Sequence, residues 1–223
     1  MRIDRAAAIM VVLGLAAIAL WIVARGWHPS DETYAFQGID ITAEQGTVHF
    51  PTVAADGVDF VYLRATMGAD GRDAQFPTYW ADAEAAGMRR GALHVWSFCR
   101  SGADQANNFN TNVPRADDAL PAAVLIDFTD ACAARPPRDT VIAELTRFVM
   151  MVEAHTGTPM LLKIAAPVER RYQLSGAIDR PVWSMRNFVR PTYAVRPWRM
   201  WQASDMRRID GLPGPIHWNV VAP

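Results

Sequence analysis

From Gln37 onward, short apolar segments alternate with segments of helical periodicity, and this alternation constrains the fold more than any other feature. Each apolar segment is a nearly continuous run, as expected for parallel strands that are buried on both faces. The predicted strands are Gly38–Thr42, Phe60–Thr66, Gly91–Trp96, Ala122–Phe128, Met160–Ala165, Pro181–Met185, Trp198–Gln202 and Ile216–Val220. The predicted helices are Pro77–Ala86, Ala103–Asn112 and Asp139–His155.

The order of these segments predicts the architecture. A strand followed by a helix, repeated along the chain, gives a parallel sheet with the helices outside it. After about residue 175 the helical pattern stops while short strands continue. We therefore predict an α/β fold, an incomplete TIM-like (β/α)5(β)3 barrel preceded by one N-terminal transmembrane helix. In such barrels the chemistry lies at the C-terminal ends of the strands.

The N-terminal segment has the composition of a membrane-spanning helix. Arg2 and Arg5 precede an uninterrupted run of nineteen apolar residues, Ala6–Ala24, which Arg25 closes. Nineteen residues in a helix span roughly 28 Å, the thickness of a bilayer core. The run ends at Trp21 and its neighbours without a small-x-small cleavage pattern. We predict an uncleaved, single-pass anchor in the inner (cytoplasmic) membrane, with the domain facing the periplasm or cell wall. Secretion after signal cleavage is the alternative.

The remaining bulk features limit the partners. The pattern divides the chain into an anchor over 1–25, a polar linker over 26–36 and a barrel domain over 37–223. A net charge of −1 does not favour nucleic-acid binding. Cys99 and Cys132 suggest one disulfide in an oxidising compartment, two unrelated buried thiols being the alternative. Metal-ligand spacings are absent from the sequence, so we expect no metal site and no cofactor. We also expect a monomer.

Motifs at the predicted strand ends form an ordered series. In chain order they are Gly38-Ile39-Asp40-Ile41-Thr42, Arg64-Ala65-Thr66-Met67-Gly68, Arg90-Gly91-Ala92-Leu93-His94, Trp201-Gln202 and His217-Trp218-Asn219. Over about residues 37–221 this series resembles the glycoside hydrolase family 25 lysozymes (N-acetylmuramidases). The resemblance implies a (β/α)5(β)3 barrel and cleavage of the β-1,4 bond between N-acetylmuramic acid and N-acetylglucosamine. The glycan strands of peptidoglycan would then be the partner.

The acidic set of the family is only partly kept. Asp40 matches the family aspartate at the first strand, whereas Met67 replaces an acid at the second. At the last strand the family motif Asp-x-Asn becomes His217-Trp218-Asn219. A histidine could serve as a substitute proton carrier there, or could simply be accommodated.

The fourth strand carries the family motif Asp-x-Glu, in which the glutamate is the proton donor. An ungapped alignment places Leu125 at the aspartate and Asp127 at the glutamate. A two-residue shift would instead place Asp127 at the aspartate and Thr129 at the glutamate; we prefer the ungapped version. Loss of neighbouring negative charge should lower the pKa of Asp127, and burial beside Leu125 and Met67 should raise it. The resemblance thus implies Asp127 and Asp40 as the catalytic residues.

Aromatic, amide and guanidinium groups at strand ends are suited to binding sugars. The expected substrate-binding residues are Arg64, Met67, His94, Trp183, Trp201, Gln202, His217 and Asn219. Core packing explains each tryptophan equally well. Three functions remain open: a working lysozyme-like glycosidase, a catalytically impaired peptidoglycan binder on the same scaffold, and a hydrolase with altered chemistry that uses His217. The family resemblance favours the first.

Overall fold

The computed structural model describes residues 5–223, so Arg2 of the predicted anchor lies outside the described residues. The strands are β1 (Gln37–Ile41), β2 (Phe60–Met67), β3 (Gly71–Arg72), β4 (Arg89–Val95), β5 (Ala123–Ile126), β6 (Leu161–Ile164), β7 (Val182–Met185), β8 (Trp198–Arg207) and β9 (Ile216–Val221). The helices are α1 (Arg5–Gly26), α2 (Phe50–Ala55), α3 (Phe76–Ala85), α4 (Gly102–Asn112), α5 (Arg138–Thr156), α6 (Ala166–Tyr172) and α7 (Leu174–Ala177), with a 3-10 turn at Ala43–Gln45.

The sheet closes into a barrel. Its order is β1-β9-β8-β7-β6-β5-β4-β2, with β3 attached to β2, and the additional β1–β2 pairing joins the two ends. Six neighbouring pairs are parallel: β1–β2, β2–β4, β4–β5, β5–β6, β6–β7 and β7–β8. Strand β9 runs antiparallel to both of its neighbours, β8 and β1. Five strand–helix units are followed by three strands, which confirms the predicted (β/α)5(β)3 architecture.

The predicted elements agree with the observed ones, with differences that have physical reasons. Strand β8 continues to Arg207, five residues beyond its predicted end at Gln202. Helices α2, α6 and α7 were not predicted, because each has seven residues or fewer and is too short for a helical period to stand out.

Alternation along the strands separates two apolar regions. Inside the barrel lie Phe60, Tyr62, Leu93, Ala123, Leu161, Trp183 and Met200. The larger core fills the space between the outer face of the barrel and the helices. Gly91 makes room for the interior aromatic residues, since a Cβ there would lie 2.5 Å from the Tyr62 ring.

Residues 27–36, expected to form a polar tether, pack against the outer face of β8. The Trp27 ring lies 6.5 Å from that of Trp201, and buried Tyr34 lies 6.1 Å from the same ring. Gln37 Nε2 donates to Pro29 O at 3.1 Å and to Tyr34 O at 3.2 Å. This segment therefore covers part of the barrel on the side where β8 follows β7 without an intervening helix.

Helix α1 contains a 20-residue stretch, Ala7–Gly26, that is long and apolar enough to cross a membrane. None of that stretch is buried against the rest of the molecule. A cleaved signal sequence has the same length and composition, so the helix could serve as a signal anchor or as a signal peptide.

Candidate active site

Asp40 lies at the centre of a buried polar network at the C-terminal end of β1. Its side chain points into the barrel and the residue is only 5% exposed. Oδ1 accepts hydrogen bonds from Lys163 Nζ at 2.7 Å and from Asn219 Nδ2 at 2.8 Å. Oδ2 lies 2.8 Å from His217 Nδ1, which donates because an ionised carboxylate can only accept. Both oxygens are thus occupied, and Asp40 has little surface to offer a substrate.

These contacts keep Asp40 ionised. Burial by itself raises the pKa of the carboxyl, but the charges and hydrogen bonds of Lys163 and His217 outweigh it and lower the pKa well below its usual range. Asp40 is therefore a fixed negative charge, and it cannot act as a proton donor at neutral pH.

Lys163 is a site residue that sequence reasoning missed. It is fully buried on the interior face of β6 and reaches across the barrel to Asp40. Its ammonium lies 4.2 Å from the centre of the Trp183 ring, and Trp183 Nε1 donates to Asn219 Oδ1 at 3.1 Å. A single charged residue inside an otherwise apolar strand, Leu161–Ile164, was the available signal.

His217 connects this network to solvent. Its side chain is 44% exposed, whereas that of Asp40 is 4% exposed. Because Nδ1 is bound to Asp40, Nε2 is the nitrogen available to a ligand at the mouth. An imidazole that donates to a carboxylate through Nδ1 has its tautomer and ring orientation fixed.

Asp127 follows β5 by one residue and lies at the same end of the barrel. Leu125, two residues earlier, packs against the interior cluster, so alternation directs Asp127 to the interior side as well. The carboxyl is about half buried, and burial raises its pKa despite a 2.7 Å hydrogen bond from Phe128 N. The residue is also partly exposed, as a proton donor to a ligand must be.

Tyr193, in the loop between β7 and β8, was also missed by sequence reasoning. Its hydroxyl donates to Ile164 O at 2.6 Å and accepts from Met185 N at 2.6 Å, so it joins the ends of β6 and β7. Burial is the largest cause of its raised pKa, and the charge of Asp127 contributes. The phenol therefore lies at the C-terminal ends of β6 and β7. A loop tyrosine has no strand-end pattern to mark it.

Arg64 and Met67 lie at the end of β2 and are both partly exposed. Arg64 Nε donates to Asp73 Oδ2 at 2.8 Å, and Arg64 Nη1 lies 3.2 Å from Glu44 Oε1. The arginine is thus held at the rim by two carboxylates. Both residues remain available to a ligand.

Two expected substrate-binding residues point away from the mouth. His94 is fully buried on the outer face of β4, where Nδ1 lies 2.8 Å from Thr66 Oγ1 and the ring packs 4.8 Å from that of Phe148. Trp201 is 3% exposed on the outer face of β8 and donates to Arg186 O. Position at a strand end does not fix the face, and here the pleat directs both side chains into the outer core.

Three further expected residues lie inside the barrel beneath the mouth. Trp183 and Asn219 are fully buried, and Gln202 is 5% exposed. The Asn219 amide bonds to Asp40, and the Trp183 ring lies under Lys163. Asn219 and Trp183 thus help to fix the polar network, and all three residues have little surface for direct contact with a sugar.

The disulfide expected as one of two possibilities is present. Cys99 and Cys132 are joined, with their Cα atoms 5.9 Å apart. The bond links the loop after β4 to the loop after β5, which begins with Asp127. It therefore restrains the segment that carries the candidate proton donor.

The closed α/β barrel carries a partly exposed acid and a fixed carboxylate network at its C-terminal mouth, the position at which α/β-barrel proteins place their active sites. Residues 39–212 match the model of the family described as glycosyl hydrolases family 25. The chain belongs to that family.

Comparisons with individual proteins agree with this assignment. The chain is 28% identical to protein YegX of Escherichia coli K12 over 195 residues, which cover 84% of this chain and 70% of YegX. It is 38% identical to lysozyme M1 of Streptomyces globisporus over 88 residues, 38% of this chain and 29% of that protein. Among solved structures, a family 25 glycosyl hydrolase from Bacillus anthracis matches with a TM-score of 0.80 and 27% identity, covering 88% of this chain and 92% of the other. A lysozyme from Streptomyces coelicolor matches with a TM-score of 0.78 and 26% identity, covering 84% and 92%.

Proposed function

We propose that this protein is a lysozyme-like glycosidase that cleaves the β-1,4 bond between N-acetylmuramic acid and N-acetylglucosamine in peptidoglycan. The observation that carries the proposal is the position of Asp127. In a barrel of this family, it is a half-buried carboxyl with a raised pKa at the end of the fourth barrel strand.

Asp127 is the proposed proton donor. A glycosidic oxygen leaves as an alcohol only if it receives a proton as the C–O bond breaks, and a protonated carboxyl in a partly apolar environment supplies it. Burial raises the pKa of Asp127 and so favours its protonated form, which opposes the effect of losing the neighbouring acids at Met67 and Leu125.

His217 is the proposed partner, and Asp40 acts through it. As the bond breaks, positive charge develops at the anomeric carbon, and a water must attack there and lose a proton. The exposed imidazole can accept that proton at Nε2, while Asp40 stabilises the resulting imidazolium through Nδ1. Asp40 is a positioning residue in this scheme, because its own oxygens are bound to Lys163, Asn219 and His217.

Arg64 and Met67 are the proposed substrate contacts at the rim. The guanidinium can donate to sugar hydroxyl or carbonyl oxygens, and the thioether can pack against an apolar sugar face. Trp183, Gln202 and Asn219 support the site from below.

We further propose that residues 1–25 anchor the protein in the cytoplasmic membrane and that the barrel, residues 37–223, works outside it as a monomer. The exposed apolar stretch Ala7–Gly26 and the cell-wall substrate support this arrangement.

Incubation of the full-length protein in detergent with purified peptidoglycan sacculi tests the function. The full chain is preferable to a truncated one, because Trp27 and His28 pack on the barrel. Mass spectrometry should detect new reducing-end N-acetylmuramic acid, and Asp127→Asn should slow its release by about 10²–10⁴-fold. Sedimentation with sacculi without release would instead indicate a non-catalytic binder, a reading that the comparisons do not support.

A further inference from the structure

The loop between β7 and β8 exposes apolar side chains to solvent. Phe188 is 39% exposed and Val189 is 53% exposed. The backbone of Phe188 has a φ of 65°, a conformation that residues other than glycine rarely adopt. A 2.8 Å hydrogen bond from Phe188 N to Ala203 O holds it there. The loop is thus fixed in a strained conformation that leaves an aromatic side chain partly in solvent.

This loop adjoins the end of helix α1. The Phe188 ring lies 5.2 Å from the ring of Trp27, the residue directly after α1. Arg208 N donates to Arg25 O at 3.1 Å, which ties the end of the helix to the residue after β8. The apolar loop tip and the apolar helix therefore leave the barrel from one side.

Arginines surround the exposed apolar groups. Arg186, Arg190 and Arg208 are all exposed. The Arg25 guanidinium lies 4.2 Å above the Trp21 ring. Asp205 also lies in this area, where its Oδ1 accepts from Asn187 Nδ2. Aromatic and apolar tips flanked by arginines are typical of surfaces that lie at the boundary between lipid headgroups and acyl chains.

We propose that Trp27, Phe188 and Val189, together with Arg186 and Arg190, form a lipid-facing patch that rests on the surface of the phospholipid bilayer crossed by α1. The apolar tips enter the headgroup region, and the guanidinium groups contact lipid phosphates. This inference rests on the proposed membrane anchor and is independent of the hydrolytic activity.

The patch determines where the active site can work. Strands β7 and β8 are parallel to β5 and β6, so the ends at Met185 and Arg207 lie on the side of the mouth. Because residues 27–36 pack on the barrel, they give the domain little freedom to move away from the membrane. The substrate would then be the glycan closest to the membrane surface.

Depth measurements on the full chain in phosphatidylcholine–phosphatidylglycerol nanodiscs test the patch. The two native cysteines form a disulfide, so an introduced cysteine can be labelled selectively with an environment-sensitive fluorophore. The test variant is Val189→Cys. Met150→Cys, 63% exposed on α5, is the matched control, and Leu13→Cys, 63% exposed on α1, reports on the anchor.

The proposal expects blue-shifted emission and quenching by nitroxide lipids at both Leu13→Cys and Val189→Cys, with Met150→Cys remaining accessible to aqueous iodide. A lipid-embedded Leu13 label with a Val189 label as aqueous as that at Met150 would overturn the patch and leave the anchor intact. An aqueous Leu13 label would overturn the anchor and the patch together. The release of reducing ends from sacculi by the same variants tests the proposed glycosidase activity separately.

Discussion

The Lys163 ammonium lies 2.7 Å from Asp40 Oδ1 across the interior of the barrel, and both side chains are almost entirely buried. Removal of one partner from a buried ion pair leaves the other charge without compensation, at a cost of about 3–5 kcal/mol. We expect Lys163→Met, which keeps most of the volume, to lower the free energy of unfolding by about that amount at pH 7. Urea denaturation measures it, with Arg100→Met at an exposed position as the control.

The same pair has a predictable pH dependence. The pKa of Asp40 is lowered in the folded state, so its contribution is present above the unfolded value of about 3.9 and is lost as pH falls through the folded value. Without Lys163 the pKa of Asp40 in the folded state rises. The deficit of Lys163→Met, meaning its loss of unfolding free energy relative to the wild type, should therefore shrink below about pH 4 as the Asp40 carboxyl becomes protonated. A deficit that is constant from pH 7 to about pH 3 would show that the charge of Asp40 is not its origin.

The disulfide should stabilise both the fold and the site. It closes a segment with a sequence separation of 33, for which the loss of chain entropy predicts about 2–4 kcal/mol. We expect Cys99→Ala/Cys132→Ala to lower the free energy of unfolding by that amount and to reduce activity, because the loop after Asp127 loses its restraint. Reductant should reproduce the loss in the wild type and have no effect on the double variant, as followed by thermal melting.

His217 should contribute to catalysis rather than to folding. General acid–base groups typically contribute about 10²–10⁴-fold to rate, so His217→Ala should reduce kcat/KM by at least about a hundredfold. His49→Ala, at an exposed histidine outside the mouth, is the control. A rate for His217→Ala close to that of the control, with both variants folded by circular dichroism, would remove the imidazole from the mechanism.

The length of the side chain at position 127 should limit the rate. Aspartate is one methylene shorter than the family glutamate, and misplacement of a catalytic group by about 1 Å can cost on the order of a hundredfold. Asp127→Glu should therefore raise kcat, by up to about a hundredfold, measured as the rate at which reducing ends are released from sacculi. Asp130→Glu, an exposed neighbour, should leave the rate unchanged. A slower Asp127→Glu enzyme would indicate that the surrounding residues have adapted to the shorter acid.

Sequence alone predicted the barrel well, because near-continuous apolar runs such as that before Asp127 fix both strand position and parallel pairing. It predicted the site less well. His94 and Trp201 lie at strand ends but face the outer core, and the face depends on local irregularities such as the register shift between Arg64 and Thr66. Contacts across the barrel, such as that of Lys163 with Asp40, are separated by 123 residues and leave no local pattern.

The pH dependence of kcat/KM on soluble peptidoglycan fragments tests the role of Asp127 most directly. A general acid works only when protonated, so activity should fall as pH rises through the pKa of Asp127, which burial places above its usual range. We predict that Asp127→Asn, with an unchanged melting temperature, loses about 10²–10⁴-fold in rate together with this alkaline decline. An Asp127→Asn enzyme that keeps the wild-type rate and pH profile would contradict the account.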